Sequence, residues 1–276
     1  MDGNHTLIQL EGVRFGYPGR PLLFDGLGFA VHEGDRLAVV GANGSGKTTL
    51  FHLLVGLRRP SAGHIRAFGR AVTRRADYDE VRRRVGFLFQ DSDDQLFSPT
   101  VREDMAFGPL NLGRSSEEAA RIVNETLEGL GLADYADRVS ADLSGGEKRL
   151  VALATVLAMK PEVLLLDEPS NGLDPAGRST LVEVLARIGG TQVVSSHDME
   201  FVRATCLRVA VMHKGALVAE GPTDEILGDA ELMLRHGLEV PYSLAVREEP
   251  AYDHHHGAGT SHGHGHGARH GREQHE

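Results

Sequence analysis

"RLAVVGANGSGKTTLFHLL", Arg36 to Leu54, decides the fold. Arg36–Val40 reads as a short apolar strand, and the segment from Lys47 reads as a helix that Gly56 and Pro60 bring to an end. Between them Gly41–Thr48 fits the spacing G-x-x-x-x-G-K-[ST]. That spacing has chemical meaning only between a strand and a helix, which is where it lies. Glycines let bare backbone N–H groups turn inward around phosphates, and the helix N-terminus adds partial positive charge. Gly41, Ala42, Asn43, Gly44, Ser45, Gly46, Lys47, Thr48 and Thr49 are therefore candidate nucleotide-binding residues. Lys47 is expected to reach the β- and γ-phosphates, and the Thr48 hydroxyl to ligate Mg²⁺.

Such a loop needs a carboxylate partner. "VLLLDEP", Val163–Pro169, supplies two acids after an unbroken apolar strand of the kind that is covered on both faces. Asp167 is expected to hold the Mg²⁺ shell, and Glu168 to polarise the attacking water as the catalytic base. A third stretch, "LSGGEKRLVALATVLAM" from Leu143, gives Ser144 and Glu147 the spacing of a capping box, which alone would start a helix. Gly145 and Gly146 do not suit that role, since glycine costs up to about 1 kcal/mol relative to alanine inside a helix. They do suit a second anion site, where bare N–H groups and the Ser144 hydroxyl approach a phosphate. The two readings are compatible.

Around these motifs strands alternate with helices. "LIQLEGVRFGY" and "LLFDGLGFAV" alternate like half-buried strands, and a further strand runs from Val85 to Phe89. Residues 91–142 read as mostly helical. Leu181, Val184, Leu185 and Ile188 keep helical spacing; "TQVVSSH" and "LRVAVMH" read as strands, with a hairpin turn at Lys214–Gly215. This pattern is an α/β domain with a mainly parallel sheet.

The formal charge is −10, and the chain stays acidic without its last 29 residues, which carry two basic and five acidic groups. An acidic body excludes non-specific affinity for nucleic acid or anionic lipid. The arginines of "RRADYDEVRRR" read as a solvated surface. One cysteine, Cys206, excludes an internal disulfide framework and suits a reducing cytosol. No apolar run is long enough to span a bilayer, and the N-terminus has no export signal. Work at a membrane would require a partner.

L-S-G-G-E at a helix start, shortly before "VLLLDEP", resembles the signature of ATP-binding-cassette ATPases, and the likeness covers about residues 5–235. It implies a RecA-like P-loop NTPase core, an N-terminal antiparallel β subdomain and an inserted α-helical subdomain at about 92–160, within a nucleotide-binding domain of 5–240. It also implies roles. Tyr17 matches the aromatic that stacks on adenine, Gln90 the glutamine that senses Mg²⁺ and the lytic water, and His197 the histidine that contacts the γ-phosphate. Asp174 closes "NGLD", the loop that crosses the dimer interface; Asn171–Gly172 stand where many members carry Ser or Ala. In that family two subunits pack head to tail, and Ser144, Gly145, Gly146 and Glu147 of one complete the ATP site of the other.

The segment after Gln90, "DSDDQLFSPTVREDMAFGPLNLG", is similar to ATPase subunits of energy-coupling-factor importers, especially those for cobalt or nickel. That likeness implies a second ATPase subunit, an integral membrane coupling subunit and a substrate-capture subunit as partners. It implies work at the cytoplasmic face of the cell membrane. Residues 241–276 read as a flexible tail. Eight of the fifteen histidines lie there, and His254, His255, His256, His262, His264 and His266 are candidate ligands for Ni²⁺ or Co²⁺. Two alternatives stay open: an importer of a vitamin or amino acid, and a cytosolic metal-buffering ATPase with no membrane partner.

Overall fold

The computed structural model describes residues 5–245. Two long strands, β1 (Thr6–Gly16) and β2 (Leu22–His32), form an antiparallel pair. β3 (Arg36–Val40) then runs into the glycine-rich loop and α1 (Lys47–Leu54). β4 (Ala62–Ala67) and β5 (Arg70–Ala71) complete a four-stranded antiparallel sheet in the order β2-β1-β4-β5. α2 (Arg75–Arg84) and β6 (Val85–Leu88) return the chain to the second sheet. The helices α3 (Val101–Asn111), α4 (Ser116–Leu130) and α5 (Gly145–Leu157) follow as one block. β7 (Val163–Asp167), α6 (Pro175–Ile188), β8 (Thr191–Ser196), α7 (Met199–Thr205) and β9 (Arg208–His213) continue the strand–helix alternation. The hairpin strand β10 (Ala216–Pro222) precedes α8 (Thr223–Gly228), α9 (Ala230–Arg235) and α10 (Tyr242–Ala245).

The second sheet has the order β10-β9-β3-β8-β7-β6, parallel except for β10. Register places the site. Val40 pairs with Ser196, and Asp167 pairs with Ser195, so the phosphate loop and the acids leave the sheet at the same carboxyl edge. Ligands bind at that edge in open α/β sheets.

Side chains of β3 alternate between two cores, as the two-residue strand period requires. Leu37 and Val39 pack with Leu50 and Phe51 of α1 and with Val13 and Phe24 of the antiparallel sheet. Ala38 and Val40 pack with Leu153, Leu181, Leu185 and Phe201 on the other face. A third core joins Met105, Val123 and Leu127 to Val151 and Ala154 of α5. α5 thus buries one face on the sheet and another on the helical block.

Several elements differ from the sequence reading. "RRADYDEVRRR" is mainly α2, which buries Tyr78 and Val81 and half-buries two of its arginines: Arg82 donates to Val55 O (2.9 Å), and Arg84 pairs with Glu162 and covers the Phe68 ring. Ile188, read as part of an apolar helix face, is 38% exposed. Residues 241–245, assigned to the tail, are held to the body: Ser243 N donates to Glu200 Oε1 (2.8 Å), and Arg203 Nη1 donates to Ser243 Oγ (2.8 Å). The tail histidines lie outside the described residues. No helix among the described residues is long and apolar enough to cross a membrane.

Candidate nucleotide site

Two glycines of the loop are required by close packing. A Cβ at Gly41 would collide with the Met212 carbonyl oxygen and lie 2.6 Å from Ser45 Oγ. Gly46 has φ 118°, a region side chains rarely adopt, and a Cβ there would lie 2.7 Å from Phe24 Cε1. The loop is thereby clamped between the antiparallel sheet and β9. Lys47, 7% exposed, starts α1 and folds back: its Nζ donates to the Gly41 carbonyl (2.7 Å) and lies 3.6 Å from Glu168 Oε1. A cleft of about 430 Å³ opens beside it, lined by Tyr17, Asn43, Gly44, Lys47, Thr48, Gln90 and Glu168 among others. Tyr17 is fixed by a 2.9 Å hydrogen bond between its hydroxyl and Thr49 Oγ1.

The two acids divide as their spacing predicts. Asp167 is fully buried; its Oδ1 accepts from the Ser195 hydroxyl, while its Oδ2 is buried with no partner. An unpaired buried carboxylate oxygen is costly, which marks a position for a cation. Glu168 has left-handed backbone, φ 47°, a strain of about 1–3 kcal/mol for a residue with a side chain. Its N–H donates to Ser195 O (3.0 Å), and the turn aims the carboxylate back into the cleft. There Oε2 accepts from His197 Nδ1 (2.8 Å) and from His197 N (3.3 Å). Lys47, Glu168 and His197 therefore form one linked group, buried at its centre and open at its rim, where the His197 side chain is 59% exposed.

Sequence reasoning missed three residues that build this group. Arg149, 3% exposed, donates to Phe89 O (2.6 Å), Gln90 O (2.7 Å) and Glu168 O (2.9 Å), tying the ends of β6 and β7 to α5. Burial lowers its pKa against the opposing pull of Asp167, Asp91 and Glu168. The signal was a cation directly before the apolar run Leu150–Ala154 of the helix. Gln95 ties the segment after Gln90 to the same helix through Ala152 O and Thr155 Oγ1, both at 2.8 Å. Ser195 orients both acids and was visible only as part of a strand.

Ser144 closes the expected capping box: its Oγ accepts from Glu147 N (3.3 Å), and Ser144 N donates to Glu147 Oε2 (2.8 Å). Glu147 also accepts from Arg138 Nη1 (2.8 Å) and the Tyr135 hydroxyl (3.0 Å). These bonds, led by the Ser144 backbone N–H, hold its carboxyl down to about 2. A Cβ at Gly145 would meet nothing within 4 Å, so packing within one chain does not explain that glycine. Ser144 and Gly145 are exposed, and neither lines the cleft beside Lys47. Gly145 lines a second cleft of about 530 Å³ with Thr48, Gln90, Asp167, Asn171 and Gly172. Asp174 caps α6, accepting from Gly177 N (2.7 Å), and is likewise absent from the cleft.

A phosphate loop at the carboxyl edge of a parallel sheet, facing a buried acid pair and an exposed serine–diglycine helix start, defines a P-loop nucleoside-triphosphate-hydrolase domain. Residues 24–171 match the family described as ABC transporter, and the chain belongs to that family as an ATP-binding domain. It is 45% identical over 243 residues to the energy-coupling factor transporter ATP-binding protein EcfA of Methanothermobacter thermautotrophicus, covering 85% of this chain and 77% of that one. It is also 45% identical over 239 residues to the cobalt import ATP-binding protein CbiO of Rhodobacter capsulatus, covering 85% of each. Among solved structures, cbiO1 from Clostridium perfringens, part of the ABC transporter complex cbiONQ, superposes with a TM-score of 0.74 at 32% identity. That match covers 89% of this chain and all of the other.

Proposed function

We propose that this chain is the ATP-hydrolysing subunit of an energy-coupling-factor importer whose cargo is nickel or cobalt. The observation that carries the hydrolytic part is the linked group Lys47–Glu168–His197 beside the unpartnered Asp167 Oδ2. Lys47 exchanges the Gly41 carbonyl for the β- and γ-phosphates. Glu168, held by His197, takes the proton of the attacking water. The exposed edge of His197 faces the terminal phosphate, and Tyr17 stacks on the adenine ring. Asp167, Thr48 and Gln90 offer the hard oxygen ligands that Mg²⁺ prefers, and the ion, when bound, offsets phosphate charge. Ser144, Gly145, Gly146, Glu147 and Asp174 serve the site of a second copy, so ATP lies between two head-to-tail subunits.

The transport part rests on likeness to EcfA, CbiO and cbiO1, and on the imidazole-rich tail. On this reading the chain sits at the cytoplasmic face of the cell membrane, bound to an integral coupling subunit and, through it, to a capture subunit. The tail would store or sense the imported ion. The test is uptake of Ni²⁺ and Co²⁺, measured separately, in cells lacking the chain. The wild type should restore uptake of one ion, whereas Glu168→Gln, which keeps ATP binding, should restore none. Restoration of neither ion by the wild type excludes the metal cargo; full restoration by Glu168→Gln excludes Glu168 as the base.

A further inference from the structure

Asp198 follows His197 and caps α7: its Oδ1 accepts from Phe201 N (2.9 Å), and its own N–H donates to Ser196 Oγ (3.0 Å). The same Oδ1 accepts from Arg178 Nη2 (2.9 Å), an ion pair that joins α6 to α7. A hydrogen bond between two charged groups is stronger and better directed than one between neutral groups. Neither residue lines the cleft beside Lys47. Ser196 is fully buried and paired to β3, so both neighbours of His197 are fixed, Ser196 by the sheet and Asp198 by Arg178. The imidazole between them stands largely in solvent, with Glu168 Oε2 as the partner of its Nδ1.

Arg178 also ends the loop that starts at the base. Asn171 N donates to the Glu168 carbonyl (3.1 Å). The chain then turns through Leu173 to Asp174, the cap of α6, and Arg178 N donates to the Asp174 carbonyl (2.9 Å). Gly177 lets this turn close tightly, because a Cβ there would lie 3.1 Å from Asp174 Oδ1. The links form a ring: Glu168, the loop 169–174, the first turn of α6, Arg178, Asp198, His197 and back to Glu168. A loop fastened to the base at one end could shift and leave it in place. Fastened at both ends, it pulls on the contact between His197 and Glu168 when it moves, since closely packed elements transmit strain.

We propose that Arg178 and Asp198 are positioning residues for ATP hydrolysis: their ion pair holds His197 against Glu168 and passes the position of the loop 169–174 to the base. On the reading of Glu168 as base and of a head-to-tail pair, on which this rests, a second copy that touches Asp174 sets the geometry of the catalytic group. Steady-state hydrolysis by the full chain tests it on Arg178→Ala, Arg178→Lys, Asp198→Asn and the double variant Arg178→Ala/Asp198→Asn. Asparagine keeps an acceptor for Phe201 N, so α7 stays capped. In Arg178→Ala and in Asp198→Asn kcat should fall about tenfold, with the KM for ATP within about twofold of the wild type. Arg178→Lys, which keeps the charge, should stay within about threefold of the wild-type kcat. The double variant should be no slower than either single change, because both remove one interaction. The urea midpoint should not move, since a pair whose side chains are 35% and 29% exposed adds little to folding.

Unchanged kcat in Arg178→Ala, losses that multiply in the double variant, or a lysine as slow as the alanine overturns the proposal. So does a fall in kcat that the urea midpoint follows, because the pair then only holds the fold. Dimer formation by Glu168→Gln with ATP and Mg²⁺ separates these outcomes from failure of the head-to-tail reading. If that variant dimerises, unchanged turnover in Arg178→Ala counts against the ion pair alone. If it stays monomeric, the head-to-tail reading fails, and the part given to the loop falls with it.

Discussion

Glycines that share a motif are not equivalent, and the structure separates them. At Gly46 a methyl group meets the Phe24 ring and the backbone has positive φ, so Gly46→Ala should lose at least about 1–3 kcal/mol of stability. At Gly145 the same methyl meets nothing, and alanine favours a helix by up to about 1 kcal/mol. Gly145→Ala should therefore unfold at the wild-type urea midpoint or above it, yet, on the proposed head-to-tail reading, lose ATPase activity at least tenfold. A Gly145→Ala chain with undiminished turnover means the helix tip touches no phosphate. Lys47, Asp167 and Glu168 were legible as candidates because each belongs to a short motif of adjacent residues. Arg149 was not: its three acceptors lie 19 to 60 residues distant, and only the folded sheet brings those carbonyls together.

At the scale of elements, strands were legible where burial on both faces left an unbroken apolar run, as in β3 and β7. The short strands β4 and β5 are largely exposed, β5 at the sheet edge, and α2 buries only Tyr78 and Val81, so none of the three carried enough apolar pattern to be read. The starts of α3 and α4 are capping boxes, Thr100–Glu103 and Ser115–Glu118, the same device recognised at α5. The box at α5 has a measurable signature. The folded-state value of Glu147, about 2, lies below its usual 4.5, so its contribution is fully present above pH 4.5 and is lost as pH falls through about 2. The urea midpoint of the wild type should exceed that of Glu147→Gln at pH 6, and the gap should close between pH 4.5 and 2. A gap independent of pH assigns the effect to the shape of the side chain and not to its charge.

At the scale of the molecule, Lys47 and Glu168 line one cleft, and Gly145 of the serine–diglycine tip lines a second with Thr48, Gln90 and Asp167. Lys47, Glu168 and His197 converge, while Ser144 caps α5, whose Arg149 donates to the Glu168 carbonyl. A head-to-tail pair gives each tip a triphosphate to meet and α5 a route by which binding moves the helical block. That symmetry has a genetic consequence. Lys47→Ala disables the loop and leaves the tip intact; Ser144→Arg disables the tip and leaves the loop intact. Each variant alone should be inactive, since both sites of its homodimer are defective. Mixed, half of the dimers carry one doubly defective and one intact site, so equal amounts should recover roughly a quarter of the wild-type rate per chain. Titrating one variant into the other and measuring phosphate release decides it. A mixture as silent as its components means that tip and loop act within one chain, and the head-to-tail arrangement is then wrong.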